Sequence, residues 1–157
     1  MIPKIGITEK HLQKNNSFLS VILSDEMTLY IKTRKFHWNV AGESFMELHK
    51  LFESQYTELE AIIDTVAERI GKLGGKTIGT MSEFSLLSRI VEHPNKYPVQ
   101  KAMLSELLSD HEILITELRK DTDFFSDENY DAGTADLLTE ILQQHETIAW
   151  ILRRYLS

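Results

Sequence analysis

Between Gly42 and Gly71 the apolar residues Leu48, Phe52, Tyr56, Leu59, Ile63, Val66 and Ile70 recur at steps of three and four. This is the 3.6-residue period of one long amphipathic helix, and it commits the segment to burying one face against other helices. A looser stripe of the same kind runs through Leu12, Leu19, Leu23, Met27, Tyr30 and Ile31, with Thr8 placed to cap its start. Leu104, Leu107, Leu108, Leu114, Ile115 and Leu118 mark a third helix; Leu138, Ile141, Leu142, Ile148, Ala149 and Leu152 mark a fourth. No window alternates convincingly with period two, so the chain reads as all-α.

The breaks set the topology. Asn39 to Glu43 is a joint too short for anything but antiparallel neighbours, and Gly42 permits a backbone conformation that other residues resist. From Gly71 to Pro98 the chain carries four glycines and two prolines and is long enough to cross the bundle; Ser82 to Ser88 within it has the composition of a short helix. Asp127 to Gly133 joins the last two helices. The expectation is a four-helix bundle with one long crossover that carries a short extra helix, forming a single domain over residues 1–157.

Composition narrows the chemistry. The absence of Cys excludes disulfides, thiolate-held zinc, iron–sulfur clusters and a Cys nucleophile. A net charge of -7 argues against a basic, nucleic-acid-binding surface over the whole fold. No apolar run approaches the roughly 18 residues of a membrane span, and Met1 to His11 has no signal-type stretch, so a cytoplasmic location is the expectation.

Two histidines and two carboxylates pose a geometric problem. His37 ends the first helix beside Trp38, His49 lies in the second turn of the next, and Asp64 and Glu68 form an i,i+4 pair farther along. Imidazole with carboxylate suits iron, manganese or zinc, although the same residues also read as a helix end with ordinary surface charges. His49 and Asp64 are about 22 Å apart along a straight helix, yet they differ by only about 60° in azimuth. A metal bond is about 2 Å long, so one ion cannot reach both within one helix. If the four residues share a site, a second copy must supply half of it. A two-fold axis near Tyr56 and Thr57 would lay two such helices antiparallel and bring His49 of one against Asp64 of the other. A di-iron site inside one bundle needs Glu-x-x-His steps, and no Glu here has a His three residues later.

These residues carry a resemblance. His37-Trp38-Asn39-Val40-x-Gly42-x-x-Phe45-x-x-Leu48-His49, followed by Asp64-x-x-Ala67-Glu68-Arg69-Ile70, resembles the signature of the Dps family, ferritin-like mini-cages named for protecting DNA in starved cells. Leu73-Gly74-Gly75-x-x-x-Gly79-Thr80 also fits, as does Thr134-Ala135-Asp136-x-Leu138 leading to Trp150, so the likeness runs over essentially the whole chain.

The resemblance implies a hollow homo-dodecamer with a ferroxidase centre at each two-fold interface. His37 and His49 would come from one subunit, Asp64 and Glu68 from the other. The substrates would be Fe(II) and, preferentially, hydrogen peroxide, with Fe(III) stored as mineral inside the shell. Hard carboxylates favour Fe(III) over Fe(II), and Glu68 has the longer stem for bridging two ions. Imidazoles must be neutral to bind, so activity is expected to fall as pH drops below about 6. Glu53, one turn beyond His49, reads either as a further ligand or as an ion-pair partner of Arg34, which leaves the second iron position open. Trp38 reads mainly as packing, with shielding or quenching at the site as the alternative.

Other signals are weaker. His111 and His145 fall on apolar stripes and read as hydrogen-bonded core histidines; His93 is a loop residue and His11 a solvated one. Asp127, Glu128, Asp131 and Asp136 cluster where the last two helices meet, and in Dps cages this segment lines three-fold pores. Asp131 and Asp136 are the candidates for a cation route, against the ordinary preference of acids for helix starts. Lys4 is the sole charge before the first helix and Ser157 follows the last apolar position at once, so DNA binding by basic tails is not expected. A nucleoid-compacting DNA-binding protein is the alternative function, and a helical interaction module with incidental histidines the third.

Overall fold

The computed structural model describes residues 2–128 and 131–157, with backbone alone for 127 and 128. Its helices are α1 (Glu9–Asn39), α2 (Phe45–Lys72), α3 (Met81–Leu87), α4 (Gln100–Asp123) and α5 (Ala132–Leu156), with no strand among the described residues. The stripes read from the sequence become the shared core. Leu19, Leu29, Phe52, Leu59, Val66, Leu107, Leu118, Leu138 and Leu152 are all completely shielded from solvent. Each such side chain contributes about 1.5–3 kcal/mol relative to exposure. α1 packs along α2, α4 along α5, and α3 lies against α1.

The stripe of α1 is loose because its buried face also carries Asn15, Ser24, Asp25, Glu26 and Lys32. Buried charges must be paired, and the crossover supplies much of the pairing. Arg89 donates from its backbone N–H and from Nε to Asp25, the latter at 2.7 Å, and reaches Glu117 at 3.1 Å and Asp121 at 3.2 Å. Burial raises the pKa of Asp25 and of Asp121, and Arg89 pulls both back down. Lys32 is clamped likewise, donating to the Val91 carbonyl at 2.6 Å and to Asp110 at 2.7 Å. The strap between α2 and α4 is therefore pinned at residues 89 and 91.

Local chemistry explains the helix ends. The Thr8 hydroxyl accepts from the His11 N–H, as expected of a cap. The short helix foreseen over Ser82 to Ser88 is α3, started by a reciprocal capping box between Thr80 and Glu83. Gly75 closes the end of α2, where a Cβ would lie 2.6 Å from the Asn16 side chain. One boundary differs from expectation. The chain does not leave the helix at Asp127 but stays wound through a π-type turn, Phe124–Glu128, so the last joint is shorter than the sequence suggests. The wider turn lets adjacent rings face the same way: Phe124 stacks on Phe18 at 4.4 Å and Phe125 meets it edge-on at 5.9 Å.

Candidate metal centre at the α1–α2 hairpin

Gly42 makes the hairpin possible. Its φ of +118° is closed to residues with a Cβ, and a Cβ there would also press on the Gln100 side chain at 3.2 Å. The tight joint sets the last turn of α1 beside the second turn of α2. The His37 and His49 rings stack there with centroids 3.7 Å apart and planes inclined by 20°. His37 Nδ1 lies 2.8 Å from the His49 carbonyl oxygen, and His49 Nδ1 lies 3.0 Å from that of His37. A carbonyl only accepts, so both Nδ1 atoms carry hydrogen, and in the neutral rings both Nε2 atoms hold free lone pairs. Such outer hydrogen bonds fix the tautomer and orientation of metal-binding imidazoles.

Aromatic residues wall the pair. The Tyr56 ring stands edge-on to His37 at 5.2 Å, and Phe45 tilts against His49 at 5.2 Å. The Arg34 guanidinium lies 4.5 Å from the Tyr56 centroid and 5.4 Å from those of Tyr30 and Trp38, and it donates to the Tyr30 hydroxyl. This corrects the alternative partner for Glu53: among the described residues no ion pair joins Arg34 to Glu53, because aromatic faces hold the guanidinium instead. Glu53 is exposed on α2. The Tyr30–Arg34–Trp38 spacing of four was the legible signal for this cluster, hidden by reading both tyrosines as ordinary core. Trp38 itself is 63% exposed.

Asp64 and Glu68 stand on the exposed surface of α2, 15 and 19 residues beyond His49, and Glu68 pairs with Lys72 at 3.0 Å. The structure thus brings the two histidines together and keeps the two carboxylates one turn apart, but separates the pairs by about 22 Å of helix. Among the described residues no three His, Asp or Glu side chains converge within one chain as metal ligands would.

At the α5 start, Asp131 is not free to line a pore. It is 3% exposed and caps α5 through the Thr134 N–H; it also accepts from Arg69 at 2.8 Å, from Asn15 at 2.8 Å and from the Thr134 hydroxyl at 2.6 Å. A helix start needs an acceptor, and this one is fully occupied. Asp136 is exposed. The side chains of Asp127 and Glu128 lie outside the described residues. His111 and His145 are buried and bonded to each other at 2.8 Å.

The fold and hairpin match known proteins along the whole chain. A ferritin-like domain profile matches residues 17–157. The DNA protection during starvation protein 2 of Bacillus anthracis is 36% identical over 135 residues, covering 86% of this chain and 91% of that protein. The chain belongs to the Dps family. A further relative, a low temperature-induced protein of Nostoc sp. described as uncharacterized, is 42% identical over 153 residues, covering 98% of this Dps chain and 86% of the relative. The crystal structure of a Dps protein from Vibrio cholerae O1, described as a member of a broad superfamily of ferritin-like diiron-carboxylate proteins, superposes with a TM-score of 0.92 at 30% identity. It covers 100% of this chain and 98% of that one. No helix of the described residues is long and apolar enough to cross a membrane.

Proposed function

We propose that this Dps chain is a ferroxidase and iron store whose sites are completed between two copies. His37 and His49 of one protomer would face Asp64 and Glu68 of the partner subunit, with Glu53 as an extra donor to a weaker second iron position. The observation that carries this reading is the reciprocal His37–His49 bond pair. It fixes the orientation of two rings, with both Nε2 atoms left to bind, on a chain whose carboxylate donors lie a helix length away. The donor set fits the substrate: imidazole accepts Fe(II), and hard carboxylate oxygens favour Fe(III).

The chemistry balances with hydrogen peroxide as the preferred oxidant. Two Fe(II) ions lose one electron each, the O–O bond takes both electrons, and two protons complete two waters. Paired delivery releases no hydroxyl radical. The protein's part is to hold two reductants side by side, to keep the histidines aligned, and to collect Fe(III) within a hollow dodecamer. DNA is then protected by removal of iron and peroxide. The net charge of -7 per chain opposes contact with phosphate and weighs against a nucleoid-compacting role. A cytoplasmic setting fits this reading.

Anaerobic Fe(II) titration followed by peroxide tests it. The wild type should oxidise iron in a 2:1 ratio to peroxide, and an Asp64→Ala, Glu68→Ala variant should lose most of that turnover. Unaltered turnover, or a native particle with the mass of a monomer, would overturn the site. Strong retardation of DNA by the iron-free protein at low salt would favour the compacting role instead.

A further inference from the structure

Each of the four long helices buries a polar side chain inside the bundle. Glu26 on α1, His111 on α4 and His145 on α5 are completely shielded from solvent, and Gln55 on α2 is 2% exposed. Three of them form a continuous chain across three helices. His145 Nε2 lies 2.8 Å from Glu26 Oε1, and His145 Nδ1 lies 2.8 Å from His111 Nδ1. The ends are open: Glu26 Oε2 and His111 Nε2 are buried without hydrogen-bond partners, as are both amide atoms of Gln55. The pairs Lys32–Asp110 and Tyr30–Tyr56 put His111 and Gln55 at the same height along α1.

Counting hydrogens on this chain decides its charge. Two bonds between titrating atoms need two hydrogens. With only two, both rings are neutral, Glu26 is an anion, and the layer holds one negative charge with no cation against it. A third hydrogen makes the set neutral, either as an imidazolium–carboxylate pair or as a carboxylic acid bonded to a neutral ring, with the second ring neutral in both, and this costs far less in a medium that solvates charge poorly. Among the described residues no other buried charge beside these three is left to compensate. Asp25 is turned to Arg89, Lys32 is paired with Asp110 and Glu106, and the buried polar residue of α2 is the uncharged Gln55.

We propose that Glu26, His145 and His111 form a buried acid–base site that holds three hydrogens between them in the folded chain, one more than the same side chains hold when unfolded at neutral pH. A fourth is refused: burial, and then the charge of His145, push the His111 pKa well below the ordinary histidine range. The unfolded side chains carry two such hydrogens above about pH 6.5 and four just below it. The site therefore joins α1, α4 and α5 most firmly near that pH, and folding takes up a proton on its alkaline side and releases one on its acid side.

Urea unfolding of the whole protein across pH 5 to 8.5, at one protein concentration, tests the count against a Glu26→Gln variant, whose neutral amide needs no third hydrogen. The unfolded chains of the two proteins bind equal numbers of protons over this range, because Glu26 is ionised there when exposed. The ratio of folding constants, wild type to variant, should fall about tenfold per pH unit throughout. A ratio independent of pH would mean that Glu26 contributes shape and polarity alone and would overturn the proposal. If the variant does not fold, solid-state NMR of wild type labelled with nitrogen-15 in histidine and carbon-13 in glutamate reads the same point at pH 8: a doubly protonated ring or a protonated buried carboxyl supports the site, and two neutral rings beside an ionised carboxylate overturn it. A metal ion retained on these rings through chelation would also overturn it.

Discussion

His37 and His49 fix each other: the Nδ1 of each is held by the backbone carbonyl of the other, at 2.8 and 3.0 Å. Neither ring can turn without giving up its own bond to the other residue's backbone. Replacing His49 with Ala removes one candidate nitrogen donor and the ring stacked on His37, while the backbone carbonyl that holds His37 Nδ1 stays; Fe(II) affinity should fall by at least about 10–100-fold. Binding titrations under anaerobic conditions measure the loss.

A shared site can be rebuilt from two broken ones. His49→Ala and Asp64→Ala protomers should each be inactive as pure assemblies. Dissociated together and reassembled, they should regain activity in about one quarter of the sites, because half of random pairs are mixed and each mixed pair has one complete site. No recovery in verified mixed particles would show that both residues act within the same protomer.

Arg89→Gln should be among the most damaging single changes outside the candidate site. It strands Asp25, which is fully buried, and takes a partner from Asp121. Removing one member of such a pair costs about 3–5 kcal/mol. The sign of the pH effect follows from the upward pKa shift of Asp25, which would grow without Arg89. The stranded acid escapes its penalty by taking up a proton, so the gap between wild type and variant should narrow as pH falls from 7 towards 5. Denaturant midpoints at the two pH values check both magnitude and direction.

Gly42→Ala should cost about 1–3 kcal/mol from backbone strain at its φ of +118°. It should also weaken iron binding, because the joint sets the register of the two histidines. Gly71→Ala, where a Cβ would meet nothing within 4 Å, serves as the control and should leave iron binding unchanged.

Asp131→Ala should destabilise by about 3 kcal/mol or more, combining a lost helix cap with an unpaired Arg69. Asp136→Asn, on the exposed surface, should leave thermal stability nearly unchanged. If it slows iron uptake into assembled particles, the cation route belongs to that residue.

What could be read from the sequence was what repeats locally. The period of Leu48 to Ile70 gave α2, Thr8 gave the start of α1, and the composition of 82–88 gave α3. The antiparallel setting of α1 and α2 followed from a short joint, the grouping of His37 with His49 from the family resemblance, and the distance to Asp64 from the rise of a helix. What stayed hidden depends on partners far away in the chain. Asp25, Glu26 and Lys32 look like solvated charges on α1 until Arg89, His145 and Asp110 arrive to pair with them. Asp131 reads as one of four acids at a helix start until Asn15 and Arg69 claim its oxygens. The Phe124 ring of the π-type turn stacks on Phe18, more than 100 residues earlier.

Arg89 grips both halves of the bundle from a stretch with no regular structure of its own. A protease cutting the strap between Glu92 and Tyr97 would leave two fragments still fastened, one by the arginine it carries and the other by the acids that arginine holds. Nicked protein should thus behave as intact protein on a sizing column, its two fragments joined by that grip as well as by the apolar core they share.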